Sequence, residues 1–221
     1  MNNISILLKS MPLLLQGALM TLKLWLSALC FSLTIGTIFG VVRCKKMRIK
    51  GLSTILDAIT FILRGVPFYV QLLIAYFVLP EIIGVRLSPF ITATGSLGLC
   101  SAAFVSQIVR TGINSISQGQ WDAAHVLGYT VLQTLRYIIL PQMVRNVLPA
   151  ITGELDQLLK STAIISSIGL LELTRCGMNI VAREINPVSI YLMIAVIYLA
   201  ISSVLNIFSS RTEGGFSYDQ G

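Results

Sequence analysis

The sequence predicts an all-α integral membrane fold of about five transmembrane helices, and three observations carry that prediction. Charged residues are only 11% of the 221, while 55% are hydrophobic. A soluble domain keeps roughly a quarter of its residues charged, and the mean hydropathy of +0.82 points to a bilayer as solvent. Several stretches are long and free of charge, as a helix must be where no water satisfies bare backbone groups. The charges that remain gather between those stretches and alternate in excess from loop to loop. The net charge of +7 therefore reads as topogenic and gives no reason to expect nucleic acid.

The first span is expected over 24–42, where no charge occurs. Arg43, Lys45, Lys46, Arg48 and Lys50 follow at once, which puts that loop in the cytoplasm and the N-terminus outside. A second span, 54–79, is interrupted by Asp57 and Arg64, and Glu81 and Arg86 then cancel in an outside loop. Residues 87–109 form the third span. The segment from Arg110 to Asn146 is less apolar and lies inside, with a functional loop over 118–141. A fourth span falls within 147–171, although Glu154, Asp156 and Lys160 make it atypical. Glu172, Arg175, Arg183 and Glu184 sum to zero outside. The fifth span, 187–208, returns the chain to the cytoplasm, so that one membrane domain covers 1–211 and a polar tail covers 212–221. No cleaved leader is expected, since Lys9 and Lys23 bracket the first apolar stretch without a small-x-small site after it. The four cysteines form no CxxC pair, so neither a disulfide nor a metal site is expected.

Residues 122–141 are the most patterned part of the chain. Asp122, Ala123, Ala124 and Gly128 read as a short helix, with a carboxylate near its positive end, a low alanine surface and a glycine joint. Pro141 is expected to end a second short helix. Physics alone leaves two readings, a docking surface or an ordinary amphipathic connector. The spacing resembles the loop of ABC importer permeases, Glu-Ala-Ala-x3-Gly-x9-Ile-x-Leu-Pro, with Asp122 in place of Glu as the one departure. The resemblance implies a type I ABC importer permease fold in which Asp122, Ala123, Ala124 and Gly128 couple to a separate ATPase. It narrows to polar amino acid permeases through Gly17-x3-Thr21-Leu22, Arg64-Gly65-Val66-Pro67, Gln71, Tyr76-Phe77-x2-Pro80, Ser106 to Arg110, Gly119-Gln120-Trp121 and Lys160-Ser161-Thr162. Val66, Phe104, Gln107 and Thr111 depart from the usual pattern. The partners so implied are ABC ATPase subunits, a second permease chain (identical or related), an extracytoplasmic substrate-binding protein, the amino acid substrate and membrane lipid.

Ionisable or polar groups at membrane depth are costly and so mark a pathway. The candidates are Arg64, Gln71, Gln107, Glu154, Ser161 and Thr162. Arg64 lies beside Gly65 and Pro67, which can bend or open the helix, and it can contact a substrate carboxylate, form a polar hinge lining the pathway, or simply neutralise Asp57 or Glu154. Glu154 and Asp156 cannot share one helix face. A pathway-facing Glu154, with the Ser161 and Thr162 hydroxyls, would suit a cationic amino acid such as arginine, lysine or histidine, whereas an interfacial Glu154 would not. His125 is expected to face solvent or a partner, Trp25 and Trp121 to anchor loops or interfaces, and Gly36 with Gly40 and Gly95 with Gly98 to let helices pack closely. The sequence has no Gly-x4-Gly-Lys-Ser/Thr loop, so no cofactor is expected in this chain and ATP with magnesium would belong to the partner ATPase. The competing reading is a channel or ion-coupled carrier that needs no ATPase.

Overall fold

The computed structural model describes residues 3–217, and their side chains over 6–207. Among the described residues every regular element is helical. Three helices are long and apolar enough to cross a bilayer, over Ile6–Val42, Pro89–Ser115 and Pro187–Ile207. Two bent pairs raise the number to five if each is one span: Leu52–Gly65 with Phe68–Ile83, bent by 106°, and Val131–Ile168 with Leu173–Glu184, bent by 47°.

Helix α1 (Asn3–Val42) is longer than the expected first span. At about 1.5 Å per residue its 40 residues reach roughly 60 Å, against a hydrocarbon core of about 30 Å. The stretch 24–42 is therefore its second half only. Helix α2 (Leu52–Gly65) stops where Val66 turns extended ahead of Pro67, because a proline ring crowds a preceding helical residue. The joint expected at Gly65 and Pro67 is thus a sharp corner. Along α2 the polar residues Ser53, Asp57, Thr60 and Arg64 recur at helical spacing, with Ser53 and Thr60 buried. The apolar residues Ile55, Ile59, Phe61 and Ile62 face outward, the inverse of a water-soluble helix.

Beyond the corner come α3 (Phe68–Leu73), a π-helical turn (Ile74–Val78) and α4 (Leu79–Ile83). Then α5 (Pro89–Ser115) runs unbroken, close to the expected third span. After α6 (Gln118–Val126) and α7 (Val131–Thr134), a second π turn (Leu135–Ile139) leads straight into α8 (Leu140–Ser161). Pro141 consequently does not end a helix. It lacks the N–H that would bond the fourth carbonyl back, and the wider π turn just before it makes room for its ring. Pro80 follows the first π turn in the same way. In both turns the bond closes over five residues, from Leu79 N–H to the Ile74 carbonyl and from Leu140 N–H to the Leu135 carbonyl. The fourth span accordingly starts earlier than 147. It tightens into a 3-10 helix (Thr162–Ile168) and stops at Gly169, whose φ of 82° few other residues tolerate.

Helix α9 (Leu173–Glu184) starts at Glu172, which is fully buried rather than a free loop charge. Its carboxylate accepts the N–H groups of Thr174 (2.8 Å) and Arg175 (2.7 Å) and the Tyr198 hydroxyl (3.2 Å). Helix α10 (Pro187–Ser217) extends past the fifth span, so residues 212–217 of the polar tail are helical and 218–221 lie outside the described residues.

The chain folds as two compact units. One comprises Met1–Leu29, Pro67–Gly98 and Leu155–Ile207, and the other Cys30–Val66, Leu99–Glu154 and Phe208–Gly221. In the first, Leu24, Trp25, Ala28, Leu72, Leu97, Leu158, Leu159 and Ile165 form one core, and Leu14, Leu173, Ile180 and Ile190 belong to another. Trp25 is buried there and donates its indole N–H to the Leu155 carbonyl at 3.0 Å, so it is a core residue and not an interface anchor. In the second unit, α1 lies against α5 through Gly36 and Gly40. A Cβ on either would stand 2.7 Å from Val105 or Val109. Close backbone approach of this kind is what small residues provide where lipid removes the hydrophobic driving force. Gly95 does not act so, since a Cβ there would meet nothing within 4 Å.

Candidate functional site

The segment 118–141 folds as a corner with a device on each side of it. Helix α6 ends in a pair of bonds from Tyr129 N–H to the Ala124 carbonyl and from Gly128 N–H to the His125 carbonyl, both 3.0 Å. That closure needs a left-handed residue, and Gly128 supplies it with φ 81°. Thr130 then caps α7 reciprocally with Gln133. The Gln133 N–H reaches the Thr130 hydroxyl oxygen at 3.3 Å, and the Thr130 N–H reaches the Gln133 amide oxygen at 2.9 Å. The Thr-x-x-Gln pattern was available in the sequence as the signal for this second device.

The four expected coupling residues do not share one face. Asp122 and Ala123 are exposed, whereas Ala124 is 1% exposed and points inward with Trp121. The alanine pair is therefore half surface and half seat. Trp121 anchors this loop from its buried side. It packs with Cys44, Val109, Ile113, Leu135, Ile139 and Met143, and the Lys46 ammonium stands 5.9 Å from its ring centroid. Asp122 does not cap the helix. It lies a full turn inside α6, and its oxygen accepts the Gln118 side-chain amide at 2.7 Å. His125 is exposed, and Val126, Leu127, Val131 and Leu132 present an apolar surface beside it. This small helix is held from below by Trp121 and leaves acidic and apolar groups outward, as a docking element requires.

The pathway candidates disperse. Arg64 donates its Nε–H to the Thr60 carbonyl at 3.2 Å, so it does not serve as the partner of Asp57. Gln107 donates to the Thr111 hydroxyl at 3.4 Å and lines a cavity of about 320 Å³ with Thr111, Ser115 and Asn146. Glu154 accepts the Ser101 hydroxyl at 2.7 Å. Asp156, two residues on, turns to Lys160 and Ser202, so the two acids diverge as helical geometry demands. The Ser161 and Thr162 hydroxyls donate to the carbonyls of Gln157 (2.9 Å) and Leu159 (2.6 Å), and it is Ser101 that supports Glu154 in their stead. Gln71, on α3, is half-buried.

The charges that do converge are ones the sequence left apart. Asp57 accepts Arg43 Nε–H at 2.8 Å, Arg110 Nη1–H at 2.9 Å and Arg48 Nη2–H at 3.1 Å. Arg43, 2% exposed, also donates to the Ser106 hydroxyl at 2.7 Å. The polar stripe of α2 and the basic run after α1 were the signals, but only the tertiary fold joins them.

Known proteins align with this architecture over most of its length. A family model described as binding-protein-dependent transport system inner membrane component matches residues 32–214. The arginine transport system permease protein ArtQ of Bacillus subtilis (strain 168) is 35% identical over 204 residues, 91% of each chain. The glutamine transport system permease protein GlnP of Escherichia coli (strain K12) is 34% identical over 207 residues, 92% of this chain and 93% of that one. A crystal structure of an amino acid ABC transporter with histidines superposes with a TM-score of 0.87 at 33% identity, covering 96% of this chain and 98% of that one. The MetNI methionine ABC transporter, 22% identical with a TM-score of 0.81, shares the fold. The chain belongs to the family of binding-protein-dependent transport system inner membrane components, as an inner-membrane permease of an amino acid ABC importer.

Proposed function

We propose that this permease moves a polar amino acid, cationic in its side chain, across the membrane under the drive of a separate ATPase that seats on α6. The observation that supports the coupling is the corner at Gly128, where Asp122 and Ala123 lie outward on a helix rooted by Trp121. A push on α6 passes through α7 and the second π turn into α8, because these elements are continuous in the chain. Substrate affinity then differs between the two states of the importer, as transport requires. The chain is a transport component and not itself catalytic, so ATP and magnesium are the ATPase's. A second permease chain, identical or related, completes the pathway, and an extracytoplasmic binding protein delivers the substrate.

The cationic preference rests on Glu154, a half-buried carboxylate supported by Ser101. The relatives divide between arginine and glutamine in name, and the related structure holds histidines. A carboxylate can pair with the α-ammonium of any amino acid, and where it meets the side chain instead it favours a guanidinium or imidazolium.

Purification from native membranes in mild detergent tests the reading. A stoichiometric ATPase subunit is expected to accompany the chain and to be lost from Asp122→Arg and Gly128→Val. A chain that emerges alone would return the carrier or channel to first place. In vesicles holding the same complex, Glu154→Gln is expected to lower arginine uptake at least roughly tenfold, the scale of removing one partner of a buried charge pair. Unchanged arginine uptake would sink the cationic preference alone.

A further inference from the structure

The turn from Arg43 to Gly51, which joins α1 to α2, carries five basic residues and no acidic one. With Arg110 it surrounds a single anion, Asp57, which takes three guanidiniums at 2.8, 2.9 and 3.1 Å. One carboxylate cancels one of the three, so positive charge is left over before the lysines are considered. That excess is not sealed inside. Arg48 and Arg110 keep 44% and 28% of their side chains exposed, and Lys45, Lys46 and Lys50 are exposed.

The turn is also preformed. The Ser53 hydroxyl donates to the Val42 carbonyl at 3.0 Å and accepts the Ile49 N–H at 3.1 Å, while the Lys45 N–H donates to the Asn114 side-chain oxygen at 3.0 Å. A ligand that meets it has little ordering cost to overcome. Ile49 is exposed between Arg48 and Lys50, and the outward face of α2 continues with Leu52, Ile55, Ile59, Phe61 and Ile62. The 14 residues of α2 rise about 21 Å, enough to run alongside one leaflet of about 15 Å.

We propose that the Arg43–Gly51 turn, Arg110 and the outer face of α2 form a binding site for an anionic phospholipid. Its headgroup phosphate lies against the guanidinium and ammonium groups, and its acyl chains lie along the apolar face of α2. Guanidinium forks match phosphate oxygens, and each nearby basic residue attracts an anionic headgroup. What favours a lipid over a soluble anion or an acidic protein surface is continuity. The charge ends where an aliphatic strip begins, the same order in which a phospholipid's headgroup and acyl chains follow one another.

The test is native mass spectrometry of the full chain, with whatever subunits accompany it, in micelles offered phosphatidylglycerol or phosphatidylcholine. Phosphatidylglycerol is expected to stay bound preferentially. Its retention should fall roughly fivefold for each charge removed in Arg48→Gln and in Lys50→Gln, and be kept in Arg48→Lys. Arg43 and Arg110 still hold Asp57 in these variants. Lys45→Gln with Lys50→Gln leaves all three ion pairs in place and answers the question if Arg48→Gln does not fold. Equal retention of the two lipids, or no response to charge removal, overturns the proposal. Displacement by inorganic phosphate at constant ionic strength would mark an ion site only. Loss of an ATPase subunit from the variants with lipid retention unchanged would mark a protein contact. Either of these results also overturns the proposal.

Discussion

Arg43 is among the largest fully buried side chains, in a protein whose solvent gives no help to a bare charge. Asp57 at 2.8 Å and Ser106 at 2.7 Å receive its donors, and Arg110 and Arg48 share the same carboxylate. Removing one partner of a buried pair leaves the other uncompensated, at a cost of about 3–5 kcal/mol. Asp57→Ala is therefore expected to lower the thermal unfolding temperature of the detergent-purified permease sharply, and adding Arg43→Met should restore part of it. A variant as stable as the parent would show that Asp57 is not the counter-ion. The sequence could place Asp57 and Arg64 in one apolar segment, and from that a mutual pair was a fair expectation. Seven residues along a helix rise roughly 10 Å, however, and the guanidiniums of Arg43 and Arg110 reach Asp57 from the turn after α1 and from α5. Divergence of Glu154 from Asp156 was legible because it needs only the helix period.

Among the elements, α1 and α5 depend most on what is missing from a side chain. At Gly40 an added Cβ would stand 2.7 Å from Val109 and 2.9 Å from the Ser106 carbonyl, nearer than real Cβ contacts allow. The Ser106 that crowds it also accepts Arg43, one turn on, so separating the helices there would strain the ionic cluster as well. Gly40→Ala is expected to destabilise the folded chain by about 1–3 kcal/mol, the cost of overpacking. Gly95→Ala, which meets nothing within 4 Å, should stay within about 0.5 kcal/mol of the parent. Thermal unfolding of the two variants side by side checks the pair, and equal losses would overturn the distinction. The motif Gly36-x3-Gly40 was readable as a packing seam, yet nothing in Gly95 and Gly98 announced that Gly95 would stand open. Proline was read too simply. Pro67 does break its span, because Val66 before it goes extended, whereas Pro80 and Pro141 ride on π turns that keep the helix going. Pro12 and Pro149 lie inside α1 and α8 with no widened turn just before them, so the π turn is one way of accommodating a proline among others, and composition does not record which is used.

Across the whole molecule the apolar segments were legible because a span needs only length and the absence of charge, and Gly65 with Pro67 marked one bend, whereas the 47° bend before Leu173 is a backbone event that composition does not announce. An orientation with the N-terminus outside is expected from the charges of the chain's loops. Glu81 and Arg86 pair at 3.5 Å, and Arg183 and Glu184 pair at 2.9 Å, so the charges of these two loops cancel between neighbours. The Arg43–Gly51 turn has no acid of its own, and its excess stays positive even after Asp57 is counted. Orientation is set by basic residues in short loops: five lie in Arg43–Gly51, against one each in 81–86 and 183–186, and the richest loop is retained in the cytoplasm. The turn and α6 are therefore expected on the side where ATP is, with residues 81–86 and 183–186 outside. Single cysteines are introduced by Lys50→Cys, Gln118→Cys, Arg86→Cys and Ile185→Cys, and a membrane-impermeant maleimide reads them above the labelling of the four native cysteines. Arg86→Cys and Ile185→Cys are expected to label in intact cells, and Lys50→Cys and Gln118→Cys only after permeabilisation. The reverse pattern would place α6 beyond the reach of any ATP-binding subunit, and the coupling assigned to Asp122 and Gly128 would fall with it.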